Sequence, residues 1–471
     1  MLVAGVDSST QSVKVLLCES ADGTVIGRGS APHPPGTEAD PAAWWAALGQ
    51  AGTGLLERAA AVGVAGQQHG MIVLDGDGQV IRPALLWNDL RSAAAAAELI
   101  TELGGPQHWA DRAGSVPTAS FTVTKLRWLA EHEPASAART ETVLLPHDWL
   151  TWRLAGSPPG AATTDRGDAS GTGYFSPATG EWLPDVATAA LGHPVQLPRV
   201  AGPGEVVATS PGAFLSPSTI LSPGTVLSAG TGDNMAAALG LGLSPGDVVI
   251  SIGTSGTAYS ISAVPAADPS GAVAGFADAT GRFLPLVCTV NAGLVLSAMA
   301  ALLGASLDEL SGLALSAEPG AGGLTLLPYF DGERTPDRPG ATGVLRGLTT
   351  RNATPPNLAR ATVEAILASL ADAAAQLTAH GIEQRRVLLI GGGATSEAVC
   401  RLAPGIFGAP VSVPEPEEYV ALGAARQAAW ALAGTEEPPA WPVRPATEHT
   451  GPPQPAVREH HAALREDTAG W

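Results

Sequence analysis

Two alternating apolar runs flank a knot of small polar residues at the start of the chain, Val3-Ala-Gly-Val-Asp7-Ser-Ser-Thr10-Gln-Ser-Val-Lys14-Val. The same cadence returns at Val249-Ile-Ser-Ile-Gly253-Thr-Ser-Gly256-Thr-Ala-Tyr-Ser-Ile. Period-two alternation on either side of a Gly/Ser/Thr turn predicts a β-hairpin at each place. Such turns aim backbone N–H groups and small hydroxyls into a concavity that accepts anions, and two of them facing each other would clamp a polyphosphate. The repeat therefore predicts two related halves with a nucleotide between them.

The pattern continues as an alternation of strands and helices. Residues 1–17 and 23–30 read as hairpin strands about an Asp22-Gly23 turn. Asp40-Pro41 offers an N-cap followed by proline at the first helical position. Behind it Trp44, Trp45, Leu48, Ala51, Leu55 and Leu56 recur at helical spacing. A strand at 62–65 breaks off at Gly66-Gln-Gln-His69-Gly70, and another at 71–75 ends in the turn Asp75-Gly-Asp-Gly78. A Pro/Gly-rich passage, Pro198 to Gly224, leads into an apolar run at 226–229 and then Gly230-Thr-Gly-Asp233-Asn234. The second half holds the echo hairpin and a helix from about Pro356 to His380, whose stripe is Val363, Ile366, Leu367, Leu370, Ala374 and Leu377. A buried-type strand, Arg386–Ile390, then runs into Gly391-Gly-Gly-Ala394-Thr-Ser396. This is an α/β pattern. The expected divisions are 1–243, 244–434 and a Pro-rich tail at 435–471, read as mostly extended.

Composition narrows the partners. A chain of 471 residues exceeds one ordinary core, so two domains are expected. With 45% apolar and 15% charged residues it is globular rather than disordered. A formal charge of −19 argues against nucleic acid or an anionic membrane, and means that an anionic substrate such as ATP needs Mg²⁺ and backbone dipoles. Cys18, Cys288 and Cys400 lack metal-ligand spacing and suit reduced thiols in a cytoplasmic protein. Asp7 interrupts the apolar start, so no signal peptide is expected; the uncharged stretches at 248–267 and 279–307 are too interrupted for membrane spans. Lys14 and Lys125 stand alone against 23 arginines, which reads as genomic composition bias.

Three segments have the glycine-rich character that phosphate binding needs: Asp7–Thr10, Gly253–Thr257 and Gly391–Ser396. No GxxxxGK[ST] occurs, so this is not a P-loop protein. Asp233 follows two glycines and an apolar strand; it can serve as a general base toward a hydroxyl, or simply cap a helix beginning at Met235. Gln67-Gln68-His69-Gly70 and Trp87-Asn88-Asp89 supply amides, an imidazole, a carboxylate and an aromatic face, the mixture that polyhydroxy compounds require. The ten histidines show no zinc spacing.

Taken together these segments resemble the FGGY carbohydrate kinases. The markers are GVDSSTQSVK at 5–14, GQQHG at 66–70, LLWNDLR at 85–91, LLPHDWL at 144–150, GTGDN at 230–234, SIGTSG at 251–256, PYFDGERTP at 328–336, LIGGGATSE at 389–397 and ALGAA at 421–425. The resemblance implies two actin-like, ribonuclease-H-like domains flanking a deep nucleotide and sugar cleft. It implies ATP and Mg²⁺, with phosphorylation of a ketose, D-xylulose to D-xylulose 5-phosphate. A kinase for another ketose or polyol, or a non-catalytic actin-like ATP-binding protein, stays open beside it. By the same resemblance Asp233 is the catalytic base. Gln68, His69, Trp87, Asn88, Asp89 and Asn234 line the sugar. Ser9, Thr10, Lys14, Gly253, Thr254, Gly391, Gly392, Gly393, Ala394 and Ser396 serve the nucleotide, and Asp7 with Asp233 the metal. The implied partners are a small sugar and ATP, without nucleic acid or membrane, and association as a homodimer stays open. Gln68 stands where the family pattern usually has methionine, Ser8-Ser9 where it often has glycine, and Thr231 where a third glycine is common.

Overall fold

The computed structural model describes residues 1–216 and 219–470. Its packing separates two units. The first comprises Met1–Leu243, Ala263–Leu284 and Glu417–Val443; the second comprises Ser244–Ser262, Pro285–Pro416 and Arg444–Trp471.

The first unit is built on a sheet in the order Val206–Thr209, Val226–Ser228, Ala61–Gly66, Leu2–Ser8, Ser12–Glu19, Val25–Pro32, with Thr231–Gly232 pairing onward along Ala61–Gly66. Leu2–Ser8 lies antiparallel to Ser12–Glu19, as the alternation requires, and parallel to Ala61–Gly66. Both faces are covered. On one side the helix Pro41–Ala51 starts as its sequence predicts, with the Asp40 carboxylate accepting from the Ala42 N–H at 2.9 Å and Pro41 in the first turn. It buries Trp44 and Leu48 against the sheet. On the other side lies the helix Tyr419–Ala433, drawn from late in the chain, against the first strand and against the helix Asp233–Leu241. Those contacts are made through small residues. A Cβ on Gly5 would stand 1.9 Å from the Ala421 carbonyl oxygen, and one on Gly63 would stand 2.2 Å from that of Ala424.

The second unit repeats the hairpin. Asp247–Ile252 pairs antiparallel with Gly256–Ser260, which pairs on with residues 286–289. On its other edge Asp247–Ile252 runs parallel to Arg386–Ile390, followed by Val411–Pro414 and Ala446–His449. The helix Pro355–Ala379 fills this unit's core. It is capped by Thr354 and buries Val363, Ile366, Leu367, Leu370, Ala374 and Leu377, the stripe expected from its periodicity.

One expectation needs correction. The segment 435–471 is not extended throughout: Ala446–His449 is an extended edge strand, but Pro455–Asp467 is a helix that buries Val457, His461 and Leu464. Proline at the first helical position starts that helix rather than preventing it. Packing groups Ala263–Leu284 and Glu417–Val443 with the first unit, so the two units interleave along the chain. The Pro/Gly-rich passage also holds short strands, Arg199–Ala201, Val206–Thr209 and Ala213–Ser216. Among the described residues no single helix is long and apolar enough to cross a membrane. Cys18, Cys288 and Cys400 form no disulfide among the described residues.

Candidate active site

Strand register assembles the first unit's polar centre. Asp7 pairs with Ala65 across the parallel ladder, and Thr231 pairs with the same Ala65 from the other side. The strands therefore end level, and the residues that follow them emerge at one edge: Ser9-Thr10, Gln67 to Gly70, and Asp233-Asn234. The carboxyl ends of parallel strands are where α/β sheets place ligands.

Asp233 is the first residue of the helix Asp233–Leu241, and Gly232 is its N-cap. It is thus not the cap of a helix beginning at Met235. Its Oδ1 accepts from the Asn234 N–H at 2.8 Å and from Asn234 Nδ2 at 2.9 Å. No hydrogen bond occupies Oδ2 among the described residues, which leaves that oxygen for a ligand. Asn234 Nδ2 also donates to Gln68 Oε1 at 3.2 Å, tying the two sequence motifs together. Burial, and then the charge of Asp7, push the Asp233 carboxyl up to about 7. Burial likewise raises Asp7 to about 6, against the opposing pull of the Ser9 hydroxyl and of Lys14. Two acids that repel each other leave an electrostatic place for a cation. Among the described residues no set of three or more His, Cys, Asp or Glu converges as a metal cage. A cation here suits Mg²⁺, which keeps water and phosphate oxygens as its other ligands.

Three buried polar atoms beside this edge have no partner within the described protein: Ser8 Oγ, Gln67 Nε2 and Gln68 Nε2. Buried groups of this kind are paired in native proteins, so they await water or ligand. His69 holds a left-handed backbone with φ 66°, a conformation that non-glycine residues adopt at a cost. Its Nδ1 lies 2.5 Å from the Gly171 carbonyl, and its ring packs on Phe121 and Phe276 with centroids 4.7 and 5.8 Å away.

Trp87 Nε1 donates to Thr10 Oγ1 at 2.8 Å, and Thr10 reaches Gln67 Oε1 at 3.3 Å, so Trp87, Thr10 and Gln67 form one chain. Asn88 has a buried Oδ1 without a partner among the described residues. Asp89 is different. Its oxygens already accept from Thr37 Oγ1, the Arg91 N–H and Arg91 Nε, and these bonds outweigh burial and lower its pKa. These bonds fix the orientation of its carboxylate. Lys14 is similarly engaged, 2.7 Å from Glu418 and 3.9 Å from Asp7. Ser9 spends its hydroxyl on Asp7.

The second unit carries the other glycine-rich segments, again level by register. Ser251 pairs with Ile390, so Gly253-Thr254 and Gly391 to Ser396 leave the sheet side by side. Gly253 and Thr254 are exposed at the hairpin turn, and their carbonyls accept from the Gly293 and Leu294 N–H groups at 2.9 and 3.2 Å. Gly391 needs its positive φ of 86°, and a Cβ there would meet the Ile252 carbonyl at 2.6 Å. Nothing stands within 4 Å of a Cβ at Gly392, which gives an open shelf. Residues Gly392–Thr395 form a 3₁₀ turn holding Gly393 and Ala394, and Ser396 caps the next helix.

One group escaped sequence reasoning. His147, wholly buried, lies 2.6 Å from Asp168 Oδ2 and 3.2 Å from Asp148 Oδ1. Asp165 accepts from Thr231 Oγ1 at 2.7 Å beside it. The signal was present in Leu144 to Leu150, but spacing alone cannot say that this His-Asp pair faces inward. Burial by itself would depress the imidazole, yet Asp148 and Asp168 outweigh it and raise His147 to about 9. A histidine raised above its unfolded value contributes stability that is complete below about 6.5 and lost as pH climbs through about 9. Burial also raises the carboxyls of Asp148 and Asp168, so they too favour the folded state at lower pH. Tm is therefore expected to fall steadily from pH 6 to pH 9. Scanning calorimetry checks this; a flat or rising Tm across that window would contradict the charge assignment.

The N-terminal domain model of the FGGY family of carbohydrate kinases matches residues 2–240, and the C-terminal domain model matches residues 248–432. A relative named xylulose kinase from Streptomyces coelicolor is 48% identical over 475 residues, covering 99% of this chain and 95% of its own. Another, from Streptomyces rubiginosus, is 47% identical and covers 98% of this chain and 94% of its own. A crystal structure of xylulose kinase from Bifidobacterium adolescentis superposes with a TM-score of 0.89 at 46% identity, covering 99% of each chain. The fold is accordingly the actin-like, ribonuclease-H-like α/β fold in two units. The chain belongs to the FGGY family of carbohydrate kinases.

Proposed function

We propose that this protein transfers the γ-phosphoryl group of ATP to the terminal hydroxyl of D-xylulose, giving D-xylulose 5-phosphate and ADP. The observation that carries this reading is the level ending of three strands, which brings Asp233, with a free Oδ2, beside Gln68 and His69. The names and near-complete coverage of the relatives support the choice of ketose.

In this reading Asp233 Oδ2 takes the proton of the terminal hydroxyl as its oxygen attacks the γ-phosphorus in line. Oδ1, held by Asn234, fixes the carboxylate so that Oδ2 keeps its aim. The free Nε2 of Gln68, with His69 and Asn88, receives the sugar's other oxygens, and Trp87 covers its carbon face. Asp89 and Thr10 stiffen that wall. Gly253, Thr254, Gly391, Gly392, Gly393, Ala394 and Ser396 hold the nucleotide by backbone and hydroxyl groups. Asp7 and Asp233 would hold Mg²⁺, which neutralises phosphate charge when bound. Lys14, through Asp7, tempers the same acidic pair. Three cysteines without a disulfide support a cytoplasmic setting.

Initial rates of ADP release with Mg-ATP against D-xylulose, D- and L-ribulose, glycerol and no sugar test the proposal. D-Xylulose is expected to give the highest kcat/KM, because a site built on fixed hydrogen-bonding groups rejects sugars with a missing or misplaced hydroxyl. A higher kcat/KM for another polyol would overturn the substrate, and absence of any sugar-stimulated turnover would overturn the reaction.

A further inference from the structure

Lys125 is placed unlike any other cation in the first unit. It is one of two lysines in a chain otherwise served by arginine, and it is fully enclosed. It sits in the first turn of the helix Thr122–His132, and its ammonium turns back onto the three carbonyls that precede the helix. These are Ala119 at 3.3 Å, Ser120 in closest contact, and Phe121 at 3.5 Å. Cations are disfavoured at helix starts. Its hydrogen-bond partners are carbonyls rather than carboxylates. Burial pulls the ammonium down to about 7, with Asp89 offsetting part of that pull. An unfavourable site for charge is kept here, and its geometric product is a turn gripped from inside.

That turn is held by neighbours as well. Ser92 Oγ donates to the Ala119 carbonyl at 2.9 Å, and Thr124 Oγ1 donates to that of Phe121 at 2.9 Å. The turn ends in Phe121, whose ring centroid lies 4.7 Å from that of His69. The next residue, Thr122, donates its hydroxyl to the His69 carbonyl at 3.1 Å. The ring and the main chain of His69 are therefore both fastened to the segment that Lys125 grips.

We propose that Lys125 is a positioning residue for sugar recognition: its ammonium clamps the Ala119–Phe121 turn so that Phe121 and Thr122 lock His69 in its left-handed conformation. The three N–H donors of an ammonium can diverge onto three carbonyls around one point, whereas a planar guanidinium spreads its donors in a fork. This accounts for a lysine where the composition otherwise supplies arginine. The inference rests on the reading of His69 as a sugar contact.

The test is steady-state kinetics on Lys125→Met, Lys125→Arg and Phe121→Leu, with Tm and ATP affinity measured alongside. Lys125→Met is expected to raise KM for D-xylulose by about tenfold or more, since small misplacements of a binding group cost this much, while the Kd for ATP stays unchanged. Phe121→Leu should shift KM in the same direction, and Lys125→Arg should not restore it. KM within twofold of wild type in both Lys125→Met and Phe121→Leu overturns the proposal, as does lost activity that tracks a lowered Tm with KM unchanged. If Lys125→Met does not fold, Phe121→Leu decides by the same criterion. Failure of the wild type to phosphorylate any sugar would instead count against the proposed function, so the two failures are distinguishable.

Discussion

Asp233→Asn is expected to lower kcat by roughly 10²–10⁴-fold, the range that general-base assistance supplies. The substitution is nearly isosteric and keeps an oxygen for the Asn234 N–H, so the helix start at Asp233 is preserved. It removes the one group placed to take the hydroxyl proton, because an amide cannot accept it. Affinity for metal-free ATP should change by less than twofold, since Gly253, Thr254 and Gly391 to Ser396 lie in the second unit. The check is a side-by-side measurement of kcat with D-xylulose and of metal-free ATP binding by calorimetry. A variant retaining more than a tenth of wild-type kcat would remove Asp233 from the role of base. A variant that loses affinity for metal-free ATP instead would point to a structural role.

Gly423→Val is expected to prevent accumulation of folded protein. A Cβ at Gly423 would lie 1.8 Å from the Ala236 carbonyl oxygen and 2.9 Å from the Gly240 nitrogen, and both of these are backbone. In the reverse direction a Cβ on Gly240 would stand 2.1 Å from the Tyr419 carbonyl. The helices Asp233–Leu241 and Tyr419–Ala433 thus touch main chain to main chain, and neither can rotate a side chain out of the way. Overpacking commonly costs about 1–3 kcal/mol when side chains can yield, and here the helices themselves must part. Total stability of a domain is only about 5–15 kcal/mol. Gly312→Ala is the matched control. Gly312 lies in the helix Leu307–Ser316 with nothing within 4 Å of its Cβ, so alanine should stabilise by about 0.5–1 kcal/mol. Soluble yield and Tm of the two variants decide the matter. Wild-type yield and Tm in Gly423→Val would show that the helices separate easily.

Much of the site was legible because it is local. The hairpin around Asp7, the break after Gly66 and the Asp233 segment each announce themselves by a change of period at a glycine. The parallel register that sets them level was not legible, since pairing of Asp7 with Ala65 and of Ala65 with Thr231 is a long-range fact. The same holds for Asp89. Its carboxylate reads as a free acceptor in sequence, and only folding shows Thr37 and Arg91 occupying it. Lys14 stands just past the first hairpin in sequence, and only folding brings Glu418, remote in the chain, beside it. Prolines misled at the C-terminus, because Pro455 begins a helix as readily as it extends a linker.

The helix Tyr419–Ala433 has a consequence for how the molecule comes into being. It covers the face of the first strands, packing Ala424 against Ala65 and Ala236, yet it is synthesised after the second unit's hairpin and its long central helix. A nascent first unit therefore leaves the ribosome with an apolar face open, and must hold it in that state until late residues arrive. Contacts of such sequence separation slow folding and lengthen the interval in which aggregation competes. The glycines and alanines of that face leave it shallow and poor in large side chains. The unfinished surface is thus less adhesive than a leucine-rich one would be while it waits for its last layer.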